Sequence, residues 1–167
     1  MNSVIFSKFF KKCYNKWKVG GDKMSQIYQK IMVAVDGSKQ SEQAFLKALD
    51  LAKENKSSLW IISIINKVEL THSAYAFSKI YAEEKQKIEV EMLKKIHDAK
   101  EYGLMDIHAI VETGDPRHLI GTIFPEQEAI DLIVMGATGK GALQQALVGS
   151  TASYVVAHAP CSVLVIK

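Results

Sequence analysis

From residue 30 onward, short β-rich runs alternate with longer segments of helical periodicity. That alternation constrains the fold more than any other feature of the chain. Ile31–Val35 is the first run, closed by the turn Asp36-Gly37-Ser38. Phe45, Ala48, Leu49 and Ala52 then recur at the three- and four-residue spacing of one helix face over residues 41–54. Leu59–Ile65 is a continuous apolar run of strand length, the pattern of a strand buried on both faces. A polar loop is expected from Asn66 to Ser78, followed by a long helix over residues 79–102. Ile88, Met92, Ile96 and Ala99 form its stripe, Glu83-Glu84 and Lys94-Lys95 its solvated face, and Gly103 its stop.

The alternation continues to the end. Ile107–Val111 reads as a third strand. Asp115-Pro116 starts a helix whose Leu119, Ile120 and Ile123 face inward and which Pro125 breaks or bends. Leu132–Met135 is the fourth strand, Ser150–His158 a helix and Val163–Ile166 the last strand. Strands joined by helical crossovers form a parallel sheet with helices on both faces, and the crossovers are right-handed. The expectation is a doubly wound α/β fold with five parallel strands in the order 3-2-1-4-5. Ligands of such sheets lie beyond the carboxyl ends of the strands, where strand order reverses. The ends of strands one and four carry the turn and glycine chemistry, and this order sets them side by side.

Composition separates residues 1–23 from the rest. They hold six lysines against one aspartate, interleaved with Phe6, Phe9, Phe10, Tyr14 and Trp17, whereas the whole chain of 167 residues has a formal charge of only +3. The remainder is therefore net acidic, and the basic character says nothing about a nucleic-acid ligand. The division expected is a basic, disordered N-terminal extension at 1–23 and one domain at 28–167. Met24 offers an alternative start. A membrane-surface or partner contact is the second reading of the extension. No apolar run approaches the roughly 20 residues of a membrane span. Two cysteines, Cys13 and Cys161, make neither a disulfide framework nor a closed zinc site, and a reducing compartment, the cytoplasm, follows.

The fourth strand runs into Gly136-Ala137-Thr138-Gly139-Lys140-Gly141, and Gly149-Ser150-Thr151 opens the next helix. Small residues let backbone N–H groups approach a phosphate, and a helix N-terminus adds free donors and a favourable dipole. Ser150 and Thr151 add hydroxyls and Lys140 a positive charge. Simple turn formation is the competing reading of these glycines. Neither the dinucleotide fingerprint nor the Walker spacing is present.

Gly136, two residues, Gly139, nine residues and Gly149-Ser150 resemble the ATP-binding branch of the universal stress protein family. Ile31–Ser38 resembles that family's first strand and turn, and Ala159–Ile166 its last turn and strand. The resemblance implies the same five-stranded fold and a homodimer paired through Val163–Ile166. It implies ATP, or another adenine nucleotide, as ligand, with Mg²⁺ carried by the phosphates. Asp36 would accept from a ribose hydroxyl or help hold a metal through water; capping the helix at 38–41 is its other role. Ile64, otherwise plain core, would line adenine, with Met135 and Gly136 beside the ribose. Gly139, Lys140, Gly149, Ser150 and Thr151 would cradle phosphate. Lysine at 140 replaces the arginine or histidine common in the family, and Ala152 replaces a hydroxyl found in some members.

No catalytic set accompanies this site. Asp36 is the only evident acid at the crevice, and His72, His97, His108, His118 and His158 are scattered. Cys161 reads as a small buried apolar residue. The function expected is a nucleotide-dependent stress-response regulator acting through its dimer or partner surface. The alternatives are a dimeric scaffold without a functional nucleotide site and a slow ATPase.

Overall fold

The computed structural model describes residues 28–66, 74–140 and 148–167. Its five strands are β1 (Lys30–Ala34), β2 (Ser58–Ile65), β3 (Ile107–Thr113), β4 (Leu132–Gly136) and β5 (Ser162–Ile166). They form one parallel sheet in the order β3-β2-β1-β4-β5. Helices α1 (Lys39–Asn55), α2 (Ala74–Glu101) and α4 (Ser150–His158) supply three crossovers. The remaining one, α3, is composite: Pro116–His118, a π turn at Leu119–Ile123 and Phe124–Gln127 run end to end. The expected strand order and all four helical connections are present. The basic extension at 1–23 lies outside the described residues.

The period of two along β1 explains the layering. Ile31, Val33 and Val35 point to one face, where they meet Ala44, Phe45, Ala48, Leu49 and Ala52 of α1 and Met92 and Ala99 of α2. Met32 and Ala34 point to the other, against Ile120 of α3 and Ala152 and Val155 of α4. Each fully buried aliphatic side chain contributes about 1.5–3 kcal/mol of transfer free energy. The central strands, buried on both faces, therefore dominate cohesion. Register fixes the ends: Val33 stands opposite both Ile61 of β2 and Val134 of β4. β1 and β4 thus finish at nearly the same height.

Helix boundaries follow local chemistry. Ser38 caps α1, its hydroxyl accepting from the Ser41 N–H at 3.2 Å. Gly103, at φ +99, follows α2, as the stop signal required. Asp115 caps α3, accepting from the Arg117 N–H at 3.0 Å with Pro116 in the first turn.

Four expectations need correction. Helix α2 begins at Ala74, so the polar loop ends earlier than Ser78; residues 67–73 lie outside the described set. Lys95 is not on a solvated face. It is only 8% exposed, and its ammonium holds both Glu42 carboxylate oxygens at 2.7 and 2.8 Å above the Phe45 ring. Glu84 is half-buried for the same reason: the α2 face that leans over the sheet's carboxyl end includes it. Ile123 is 40% exposed rather than inward, while Ile120, Gly121 and Pro125 are buried. Pro125 has no N–H to offer the carbonyl four residues back, and its ring crowds that carbonyl. The preceding turn widens to the π form, with Phe124 N–H bonded to Leu119 O, and the added residue rotates Ile123 off the buried stripe.

Candidate functional site

The carboxyl ends of β1, β2 and β4 open into a crevice of about 540 Å³. Its floor is Ala34, Val35, Ile64 and Met135, and one wall is the turn after β1. The opposite wall is Gly136–Lys140 together with Gly149–Ala152 at the start of α4. Every residue singled out from sequence is brought to this one space: Asp36, Ile64, Met135, Gly136, Gly139, Lys140, Gly149, Ser150 and Thr151.

Asp36 holds the two walls together. Its Oδ1 accepts from the Ser38 N–H at 2.9 Å and its Oδ2 from the Lys140 N–H at 3.0 Å. Burial pushes the Asp36 carboxyl up, but the donors from Ser38, then Lys140 and Ser41, outweigh it and leave the pKa below the ordinary value. Asp36 is not the cap of α1; Ser38 is, and Asp36 accepts from the N–H of that cap from two residues earlier.

The glycines sit where a Cβ would crowd a neighbour. A Cβ on Gly139 would lie 2.5 Å from Asp36 Oδ2, and one on Gly136 would lie 3.0 Å from the Gln40 backbone carbon. On Gly149 it would lie 3.3 Å from Ala137 O. Gly37 takes φ +76, a left-handed conformation that lets the chain turn from β1 into α1. The loop after β4 is also tied at its base: Ala137 N–H bonds Ile166 O and Gly149 N–H bonds Ala137 O, each at 2.7 Å.

Helix α4 starts with Gly149 as its N-cap and no side-chain cap. The N–H groups of its first turn have no intrahelical acceptors and aim the positive end of the helix dipole into the crevice. Thr151 is half-buried and Ser150 exposed beside them, while Ala152 is buried. Ser41, buried at the other wall, accepts from the Asp36 N–H at 3.4 Å and donates to Ser38 O at 2.9 Å.

Sequence reasoning missed three participants. Gln40 Oε1 accepts from both the N–H and the hydroxyl of Thr138, at 2.6 and 2.7 Å, so α1 fixes the middle of the glycine loop. Glu91 and Lys95 line the crevice from α2. No spacing signal marks Gln40, but its place two residues after a cap puts it in the first helical turn beside the next wall. Glu91 and Lys95 fall one helical turn apart on the same face as Met92, which the apolar stripe already indicated.

The described histidines stand elsewhere. His108 stacks on Trp60 at 4.1 Å, and Tyr154 sits between His118, edge-on, and His158, stacked at 4.0 Å. Cys161 is half-buried, its thiol pushed up to about 11 by burial and by the charge of Asp131, which keeps it protonated and unreactive. His72 and Cys13 lie outside the described residues.

A sequence model described as the universal stress protein family matches residues 27–167. The chain belongs to this family. A putative universal stress protein of Staphylococcus haemolyticus is 35% identical over 142 residues, covering 84% of this chain and 85% of the relative. The solved universal stress protein UspA of Lactobacillus plantarum is 30% identical with a TM-score of 0.77, covering 84% of this chain and 98% of that one. Two more distant universal stress proteins share the fold. One, solved in complex with cAMP, is 24% identical with a TM-score of 0.61, over 84% of this chain and 97% of its own. The other, from Arabidopsis thaliana with AMP bound, is 23% identical with a TM-score of 0.58, over 83% of this chain and 91% of its own.

Proposed function

We propose that this universal stress protein binds an adenine nucleotide, ATP with Mg²⁺ foremost, and acts as a nucleotide-dependent regulator in the cytoplasm. The carrying observation is the meeting of Gly136–Lys140 with the uncapped start of α4 in one crevice. The cradle fits phosphate: at Gly136, Gly139 and Gly149 a Cβ would crowd a neighbour, and the first-turn N–H groups of α4 have no side-chain cap. Ile64 and Met135 give an apolar floor for the base, and Asp36 keeps lone pairs free for a ribose hydroxyl. Gly139, Lys140, Gly149, Ser150 and Thr151 take the phosphates. Mg²⁺ would add charge neutralisation on the phosphates, held chiefly by them and by water. The cAMP and AMP of the two distant relatives support the ligand class.

Binding is favoured over turnover by the state of Asp36. A carboxylate that is kept ionised and already accepts two N–H bonds is a weak proton acceptor. The readout would pass through an assembly. β5 is an edge strand whose half-buried Val163–Ile166 form an apolar rim, and pairing two copies along it covers both rim and backbone.

The test has two stages. Protein purified without added nucleotide and then denatured is expected to release ATP or ADP, identified by mass spectrometry, or to bind Mg-ATP on titration. Gly149→Val crowds Ala137 O and the phosphate approach, and is expected to abolish that binding while circular dichroism stays unchanged. Wild-type affinity in the folded variant rejects this placement of the site.

A further inference from the structure

The glycine loop has fewer donors to give than its length suggests. Of the N–H groups from Ala137 to Lys140, all but one are already bonded. Ala137 N–H goes to Ile166 O at 2.7 Å, Thr138 N–H to Gln40 Oε1 at 2.6 Å and Lys140 N–H to Asp36 Oδ2 at 3.0 Å. Gly139 N–H has no acceptor among the described residues. It stands between the two ties that bind the loop to the opposite wall. The tie at Thr138 is double, because the Thr138 hydroxyl also donates to Gln40 Oε1, at 2.7 Å. Two donors on one amide oxygen use both of its lone pairs. An N–H can only donate, so the oxygen of the Gln40 amide, not its nitrogen, must face Thr138. Ser38 Oγ donates to Thr138 O at 3.5 Å, so that residue is held on both sides of its main chain. Gln40 is the second residue of α1 and does not itself line the crevice.

We infer that Gln40 is a positioning residue for phosphate: by holding Thr138 through its amide oxygen, it sets where the Gly139 N–H stands and so how tightly a ligand's phosphate is held. This rests on the nucleotide reading above and deepens it. A phosphate on the cradle takes donors from two sides, the first turn of α4 and the loop. The donors of α4 are fixed by the helix. The loop donor is fixed only while its neighbours Thr138 and Lys140 stay tied, since glycine has the widest backbone freedom of any residue. Glutamine suits the task. It accepts two bonds and, unlike glutamate, adds no negative charge near the phosphate. A nucleoside on the Ile64 and Met135 floor makes no use of the Gly139 N–H. Gln40 therefore acts on nucleotide affinity and leaves nucleoside affinity alone.

The experiment compares wild type, Gln40→Met, Thr138→Val and the double variant. Methionine keeps the length of glutamine without its acceptor, and valine keeps the shape of threonine without its hydroxyl. Calorimetric titration with ADP is expected to show roughly five- to hundredfold weaker binding in Gln40→Met, which loses two hydrogen bonds, with adenosine unchanged. Thr138→Val loses one of the two and is expected to weaken ADP about two- to tenfold. Added to Gln40→Met it is expected to change nothing further, because the bond it removes is already gone. Hydrogen exchange of the Thr138 amide, followed by NMR without nucleotide, is expected to run faster in Gln40→Met. Equal ADP affinity in wild type and Gln40→Met overturns the inference. So does an equal loss for adenosine, a full further loss in the double variant, or unchanged exchange at Thr138. Should Gln40→Met not fold, Thr138→Val decides: wild-type ADP affinity, or a loss shared by adenosine, overturns the inference. Failure of the wild type to bind ADP at all instead overturns the nucleotide reading beneath it.

Discussion

Two aspartates mark opposite ends of the central strands, and they do the same chemistry to different ends. Asp131, just before β4, accepts from the Gln29 and Lys30 N–H groups at the start of β1, at 2.7 and 3.2 Å. Asp36, just past β1, accepts from Ser38 and from Lys140 beyond β4. Each is a clasp between β1 and β4. Around Asp131 the polar groups answer one another: Lys30 Nζ bonds Glu128 O, Ser57 Oγ bonds Tyr28 O, and Asp131 N–H bonds Lys30 O. Around Asp36 they do not close. The first turn of α4 has no side-chain cap, and the glycines let the main chain beside it close on Asp36 and Gln40. The amino end of the sheet is finished as structure, while the carboxyl end keeps its donors for something else.

The sharpest way to break this contrast is at Gly139. A valine there would place its Cβ 2.5 Å from Asp36 Oδ2 and force the clasp open. Overpacking of this kind costs about 1–3 kcal/mol. Because the displaced groups are the ligand-facing ones, ADP affinity is expected to fall roughly five- to hundredfold, measured by calorimetry. A variant that binds like wild type means the loop is not the phosphate wall.

A paired substitution comes next. Asp131→Ala is expected to lower the urea-unfolding free energy by about 1–2 kcal/mol, the cost of two N–H groups losing an acceptor, with nucleotide affinity untouched. Asp36→Ala also leaves two N–H groups without an acceptor and is expected to cost a similar stability, but in addition to weaken ADP binding severalfold. If both variants move stability and affinity in parallel, the two ends are not functionally distinct.

These expectations depend on features of unequal visibility in the sequence. Strand order was legible because short apolar runs and amphipathic segments alternate without interruption, and the rules of parallel crossovers leave few topologies. The glycine spacing pointed to residues that line the crevice because a missing side chain is itself a sequence signal. Gln40, Glu91 and Lys95 were illegible for the opposite reason. Each is an ordinary polar residue on a helix, and its role arises only when a second helix is laid across the sheet. The π turn was half legible: Pro125 announced a disturbance, but whether the helix would stop or widen depended on Gly121 packing against the Tyr154 ring, which α4 supplies.

The pair that sequence misread supplies a smaller test. Lys95 is buried and Glu42 about half-exposed, so the ion pair is only partly shielded from water. Glu42→Gln is expected to cost about 1 kcal/mol by thermal or urea unfolding. No change would mean that the Phe45 ring alone stabilises the ammonium.

The smallest effect concerns acid. Asp115 is held down to about 2, first by the Arg117 guanidinium, against a small opposing effect of burial, and further by the Arg117 N–H and His118. A carboxyl whose folded pKa is depressed adds stability above its unfolded value near 3.8, and that contribution disappears as pH falls through about 2. Asp36, also depressed, acts with the same sign. Stability is therefore expected to decline from about pH 5 downward, and Asp115→Asn to flatten part of that slope in unfolding curves taken between pH 5 and 2. An identical slope in the variant removes Asp115 from the account.

The bond from Ala137 N–H to Ile166 O has a mechanical consequence. It makes the first step of the glycine loop an extension of the outermost strand, since Gly136 already pairs with Ile166 in the sheet. Tension or compression along β5 is transmitted through a single peptide to the wall that faces the crevice, with no helix or side chain between. The rim and the cradle are two arms of one lever, and its fulcrum is the short β4.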